Sequence, residues 1–245
     1  MTSLTMNTLL IATGNQGKRR EYEQMLGGAL PQGWSFSDLK SFGRDLPDVV
    51  EDRDTFVGNA IKKAVESCQA SGVCVLAEDS GLVVDALDGA PGIYSARFAG
   101  PARDDLANNA LLVSKLAGVP EHARAARYVA LTCLALPNDP AGADLVARMG
   151  ASFDQIPRGE PSNPGELGLV DGLAVVWFRG TVEGRIVDAP RGQNGFGYDP
   201  HFFLPELGLT MAELSADQKN GLSHRASALA QLSLALHHAM SQDLT

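Results

Sequence analysis

Apolar and polar positions along the chain switch between a short period and a helical one. Thr8 to Ala12 is a compact apolar run of strand length that stops at Thr13-Gly14-Asn15. Lys18 to Leu26, rich in long side chains, predicts a helix, so the chain opens as a strand–turn–helix unit. Trp34 to Ser37 predicts a short second strand. From Asp54 to Cys68, Phe56, Ala60, Ile61, Ala64 and Val65 recur at three- and four-residue spacing and form one helical face. Asp54 is the expected N-cap and Gly72 the stop. Val73 to Ala77 is an apolar strand running into Glu78-Asp79, and Leu82 to Ala86 resumes as a strand. Gly89-Ala90-Pro91-Gly92 predicts a turn.

Arg103 to Leu116 predicts a helix ended by Gly118 and Pro120. Tyr128 to Leu136 alternates as a strand does. Asp139 to Ala143 is expected as a loop and Leu145 to Phe153 as a strand. Arg158 to Gly172, rich in Gly, Pro, Ser, Asn and Glu, is expected as a surface insertion or long hairpin loop. Leu173 to Phe178 and Thr181 to Val187 predict strands. Ser215-Ala216-Asp217-Gln218 has the form of a capping box. A long helix follows from about Leu222 to Met240, with Leu222, Leu229 and Leu236 on one stripe. Strands and helices mix without strict alternation, and no repeat or low-complexity tract is present. The expected fold class is α/β: a single domain with a long twisted mixed sheet, its helices forming two lobes around a central cleft.

The net charge of −9 and the pI of about 5.0 disfavour a nucleic acid polymer or an acidic membrane surface as partner. A small anion remains possible, because a few local cations and a metal can dominate one cleft. Cys68, Cys74 and Cys133 share no metal-site spacing and are expected as reduced, buried thiols of a cytoplasmic protein. Met1 to Asn7 is short and polar, and no signal peptide is expected. No apolar stretch approaches the ~18 residues of a membrane span.

Three segments carry candidate chemistry. Thr13-Gly14-Asn15-Gln16-Gly17-Lys18 joins a strand to a helix: glycines admit a phosphate close to the backbone, free amides at a helix start attract anions, and Lys18 adds a charge. A plain turn with a solvated Lys fits the same residues, and no Walker loop is present. Glu78 and Asp79 end a buried strand. Successive strand side chains point to opposite faces, so one of the two faces a ligand directly. Mg²⁺ takes hard oxygen ligands, and one or two carboxylates plus substrate phosphates suffice. Glu51, in the acidic segment before a helix, completes that site or merely charges the helix entry. Gly195-Phe196-Gly197-Tyr198-Asp199-Pro200 leaves Phe196 free to cover a flat base, or is a hairpin turn with two aromatics pinned to the core. Lys219, His224 and Arg225 supply cations, Arg225 as a fork of donors.

These pieces together resemble the inosine triphosphate pyrophosphatase family, hydrolases of non-standard purine nucleoside triphosphates. The matching motifs are Thr13 to Lys18, Thr55-Phe56-Val57-Gly58-Asn59-Ala60, Glu78-Asp79-Ser80-Gly81-Leu82, Gly89 to Arg97, Gly195 to Pro200 and Ser223-His224-Arg225, in order over nearly the whole chain. The chain departs from the family at Gly58, where an acid is frequent, and over about 139–172, which looks longer than usual.

The resemblance implies Mg²⁺-dependent cleavage between the α and β phosphates of ITP, dITP or XTP. Asp79 would then be the catalytic carboxylate and a metal ligand, with Glu51 holding the metal and Glu78 in support. Thr13, Gly14, Asn15, Gln16, Gly17, Lys18, Ser80 and Lys219 would hold the triphosphate. Phe196, Gly197, Tyr198 and Asp199 would frame the base, with Phe196 stacked on it, and His224 and Arg225 would meet its six-position oxygen. A homodimer is implied by the same resemblance. A nucleotide-binding sensor without catalysis, or a less base-selective phosphoanhydride hydrolase, are the alternatives.

Overall fold

A computed structural model describes residues 7–26, 30, 32–42, 46 and 48–237. Its strands are β1 (Asn7–Ile11), β2 (Trp34–Asp38), β3 (Cys74–Val84), β4 (Ala125–Leu136), β5 (Leu167–Val170), β6 (Leu173–Ile186), β7 (Phe202–Leu204) and β8 (Leu209–Thr210). Its α-helices are α1 (Gln16–Leu26), α2 (Phe56–Ser71), α3 (Asp105–Lys115), α4 (Pro140–Arg148), α5 (Ala216–Leu222) and α6 (His224–His237). The strands form one sheet in the order β2-β1-β3-β4-β6-β7-β8, with β5 also on β6. β1 runs parallel to β2 and β3, whereas β6 is antiparallel to β5 and β7, and β7 to β8. The sheet is therefore mixed, as the chain's pattern predicts.

The chain divides into two compact units. The first takes Met1–Asp79, Leu131–Arg179 and Ala228–Thr245. Its core joins Leu9, Ile11 and Leu76 of the parallel strands to Tyr22 and Leu26 of α1, Leu145 and Val146 of α4 and Leu229 and Leu232 of α6. The second takes Ser80–Ala130 and Gly180–Ser227. Its core gathers Leu82, Leu112, Tyr128, Tyr198, Phe202 and Met211. The boundaries fall inside β3, β4 and β6, and within α6.

Several elements differ from the sequence reading. The N-cap of α2 is Thr55, not Asp54: its extended backbone lets its hydroxyl accept from the Gly58 amide at 3.1 Å. Gly72 does end that helix, in the left-handed region at φ 73°. β3 runs unbroken through Glu78-Asp79-Ser80-Gly81, so the acids sit within a strand and not at its end. β6 likewise passes through Arg179-Gly180 without a break. The loop expected at Asp139–Ala143 and the strand at Leu145–Phe153 are instead α4, with Asp139 capping the Gly142 amide at 2.8 Å and Pro140 in the first turn. Asp-Pro reads as a turn, but it also starts helices, where proline's missing N–H costs nothing. Arg158–Gly172 contains β5, hairpinned to β6.

The Ser215–Gln218 capping box forms with both halves present. The expected final helix breaks at Ser223, whose extended backbone ends α5, while its hydroxyl accepts from Ala226 N at 3.1 Å as α6 begins. The rest of that expectation, beyond His237, lies outside the described residues. Cys68, Cys74 and Cys133 are free and buried. Burial pushes the Cys68 thiol up to about 12 and the other two higher still, so all three are poor nucleophiles. Among the described residues no helix is long and apolar enough to cross a membrane.

Candidate active site

In the first unit, strand alternation separates the two acids. Glu78 meets residues of α1: Tyr22 Oη donates to its Oε2 at 2.5 Å and Lys18 Nζ lies 3.1 Å from its Oε1. Tyr22 Oη also stands 3.2 Å from Thr132 Oγ1. Asp79, the next residue, meets α2: Asn59 Nδ2 donates to its Oδ2 at 3.1 Å. Lys18 and Tyr22 stand four residues apart, as do Asn59 and Lys63, so each helix presents a pair on one face. Lys63 Nζ pairs with Glu51 and donates to the Glu78 carbonyl at 3.0 Å. Asn59 Oδ1 accepts from Arg53 N at 2.9 Å, which fixes the orientation of its amide toward Asp79.

Glu78 and Asp79 are buried. Burial pushes the Asp79 carboxyl above its ordinary range; Glu51 adds to that rise, and Lys63, Lys18 and the Asn59 hydrogen bond oppose it. Two carboxyls that feel each other inside a set of cations offer the hard oxygens a small dication prefers. Among the described residues no group of three or more His, Cys, Asp or Glu forms a cation cage. One or two carboxylates suffice for Mg²⁺ where substrate phosphates supply further oxygens.

The Thr13–Lys18 turn is built from its own side chains. Thr13 Oγ1 accepts from Asn15 N at 3.2 Å, and Asn15 Oδ1 accepts from Gly17 N at 2.8 Å and Lys18 N at 3.1 Å. Two amides expected to be free at the start of α1 are thus covered by Asn15. Gly14 is exposed, and nothing lies within 4 Å of where its side chain would begin, so its backbone can be approached closely. Gln16 opens α1, and its side chain lies outside the described set. At Gly58, a side chain would start 3.0 Å from Arg53 Cβ and 3.1 Å from Thr55 Oγ1, so an acid there would have to displace Arg53 by a few tenths of an ångström.

The second unit holds the other candidates. Asp199 is the centre of its turn: Oδ1 accepts from Tyr128 Oη at 3.1 Å, and Oδ2 accepts from Phe196 N at 3.0 Å and Lys219 Nζ at 2.7 Å. A side chain at Gly195 would start 2.0 Å from Asp199 Oδ2, and its φ is +79°, so only glycine fits. Lys219 Nζ also lies 4.6 Å from the centre of the half-buried Phe196 ring. Tyr198 turns into the core and donates from Oη to Ser95 O at 2.7 Å. Burial raises the hydroxyl pKa of both Tyr128 and Tyr198, so both stay neutral donors. His224 stacks on Tyr128, centroids 4.9 Å apart and planes at 14°. Arg225 is 1% exposed, and Ser80 is half-buried in β3 beside Asp79 in sequence.

Sequence reasoning gave Asn59 no role beyond its place in the Thr55–Ala60 motif, and missed Lys63, Tyr22 and Tyr128. Asn59 and Lys63 carried a legible signal, as polar residues four apart bordering the apolar face of α2. Tyr22 and Tyr128 carried none, since a tyrosine in an amphipathic element reads as core.

The model of the Ham1 family matches residues 9–152 and 166–235. The chain is similar to the dITP/XTP pyrophosphatase of an Exiguobacterium species, 45% identical over 224 residues that span 91% of this chain and 94% of that protein. It is also similar to the dITP/XTP pyrophosphatase of Geobacter sulfurreducens, 42% identical over 93% of this chain and 95% of that protein. Among solved structures, the Staphylococcus aureus Ham1 protein aligns at 33% identity with a TM-score of 0.71, over 95% of this chain and all of that one. A Coxiella burnetii HAM1 protein aligns at 32% identity with a TM-score of 0.72 and the same coverage.

Proposed function

Because the chain belongs to the Ham1 family, we infer that it is a dITP/XTP pyrophosphatase, hydrolysing non-standard purine nucleoside triphosphates. The reaction releases the nucleoside monophosphate and pyrophosphate. The observation that carries the assignment of roles is the buried Asp79 carboxyl, held by Asn59, raised by Glu51 and opposed by Lys63 and Lys18.

In this reading Asp79 accepts the proton of the attacking water, and burial suits it by lifting its pKa toward the working range. Glu51 and Asp79 would hold Mg²⁺, and Glu78, engaged by Lys18 and Tyr22, would support them. Bound there, Mg²⁺ would neutralise phosphate charge and acidify a water. Lys63, paired with Glu51 and the Glu78 carbonyl, would add positive charge beside the phosphates, and Thr13 to Lys18 and Ser80 would hold the triphosphate. Phe196 stacks on the base, while Tyr198 and Asp199 shape the turn that presents it. Lys219, tied to Asp199 and Phe196, acts at the base end and reinforces that turn. His224 and Arg225 face the six-position oxygen. Donors aimed at that oxygen meet the amino group of adenine badly, and a donor pair left buried and unmatched costs roughly 1–3 kcal/mol. We also propose a single domain over residues 1–245, a cytoplasmic setting and a homodimer.

The sensor alternative rests on Gly58 alone. Arg53 and Thr55 crowd that position, and Asn59, the adjoining residue, still reaches Asp79. The test is a panel of ITP, dITP, XTP, ATP and UTP with separate detection of pyrophosphate and orthophosphate, with Mg²⁺ and with chelator. Pyrophosphate from the first three substrates, abolished by chelator, is the expected result. Orthophosphate release, equal rates across the panel, or binding of ITP without turnover would overturn it.

A further inference from the structure

We propose that Asp105 and Asn109 of α3 are positioning residues that strengthen base binding by clamping Gly197, an inference resting on the reading of Phe196–Asp199 as the base-framing turn. Gly197 lies between Phe196 and Tyr198 at φ +62°, a conformation other residues rarely adopt. Glycine reaches that region without strain but is also the freest residue, so bonds to its polar groups are what select one conformation. Both groups of Gly197 are tied to one face of α3. Asp105 Oδ2 accepts from Gly197 N at 2.8 Å, and Asn109 Nδ2 donates to Gly197 O at 2.8 Å.

The spacing is what makes the clamp possible. Asp105 and Asn109 stand four apart, so they share a face. Asn109 Nδ2 also donates to Asp105 O at 2.8 Å, which fixes the amide. The flipped amide would set Oδ1 against two carbonyl oxygens. Oδ1 instead is buried with no hydrogen-bond partner among the described residues. The double donation from Nδ2 is what sets the amide in this orientation.

The neighbours on α3 do related work. Asp104 caps the helix through Leu106 N and Ala107 N, and Asn108 bonds Ala99 N at 2.7 Å and Ala96 O at 3.2 Å. That second contact holds the 3₁₀ turn Gly92–Arg97, whose Ser95 carbonyl receives the Tyr198 hydroxyl. The run Asp104-Asp105-Leu106-Ala107-Asn108-Asn109 therefore braces both sides of the aromatic turn. Asp199 and Lys219 hold the same turn at Phe196. Phe196 and Gly197 are thus held by two independent sets of bonds, one from Asp199 and one from α3.

The experiment measures kcat and KM for ITP and for ATP, with thermal unfolding, in Asp105→Ala, Asp105→Asn, Asn109→Ala, Phe196→Ala and the control Leu106→Ala at an 82% exposed position of α3. A hydrogen bond lost from a preorganised turn is worth roughly 3–10-fold in affinity. Asp105→Ala and Asn109→Ala should each raise the KM for ITP by roughly that factor, with kcat within about twofold. Asp105→Asn keeps an acceptor and should restore the wild-type KM, and Leu106→Ala should change nothing. Asp105 is exposed, so its variants keep the test decisive if Asn109→Ala folds poorly. An unchanged KM for ITP in Asp105→Ala while Phe196→Ala raises it overturns the clamp alone. An unchanged KM for ITP in Phe196→Ala overturns the base-framing reading and the clamp with it.

Discussion

Asp79 in the first unit and Asp199 in the second are both buried aspartates, at 6% and 3% exposure, and their surroundings serve different ends. Asp199 accepts from a tyrosine hydroxyl, a lysine and a backbone amide, and those bonds shape a turn. Asp79 sits where burial and a neighbouring carboxyl make ionisation harder, while Lys63, Lys18 and an amide partly compensate. The surroundings of Asp199 fix backbone geometry, and those of Asp79 raise the proton affinity of its carboxyl. Buried carboxylates are therefore told apart by what their partners do, not by burial.

The largest expected effect follows from the Asp79 side of that contrast. Asp79→Asn should lower kcat by roughly 10²–10⁴-fold, the range for loss of a general base, and by one factor across ITP, dITP and XTP. It should also unfold at a higher temperature near neutral pH. An acid whose folded pKa is raised stabilises the fold fully below its unfolded value, here 3.8, and that contribution is lost as pH rises through the folded value. The gap between variant and wild type should accordingly narrow toward pH 4. A calorimetric series over pH checks the sign, and a variant less stable at every pH would contradict it.

Lys63→Met comes next. It strips a cation from Glu51 and from the Glu78 carbonyl, and a fall of roughly 10–100-fold in kcat is expected. On the Asp199 side, Phe196→Ala should raise the KM for ITP by roughly 5–150-fold, the value of one base–aromatic stack, with a smaller change in kcat. The smallest effect on catalysis belongs to Tyr22→Phe. It removes the hydroxyl between Glu78 and Thr132 and should cost about 1–3 kcal/mol of stability by denaturant titration, with kcat/KM within about threefold.

The same contrast explains what was legible in the chain. Glu78 and Asp79 were visible as adjacent acids in an apolar run, and the rule of opposite faces correctly assigned them different neighbours. Their continuous strand was not visible, because Ser80-Gly81 reads as a corner until pairing within the sheet overrides it. The glycines around Phe196 announced an unusual turn. The inward-facing Asp199 and the brace from α3 were not readable, since both depend on contacts between residues far apart in sequence. α4 escaped because Asp139-Pro140 suits a turn and a helix start equally, and the packing of Leu145 and Val146 decides between them.

The division of labour is tested most directly by measuring kcat and KM for ITP and ATP in Asp79→Asn and Phe196→Ala side by side. The account predicts that Asp79→Asn depresses kcat for both substrates by the same factor, while Phe196→Ala raises the KM for both and largely spares kcat. An ITP-to-ATP ratio that shifts in Asp79→Asn, or a KM that stays fixed in Phe196→Ala, would contradict it.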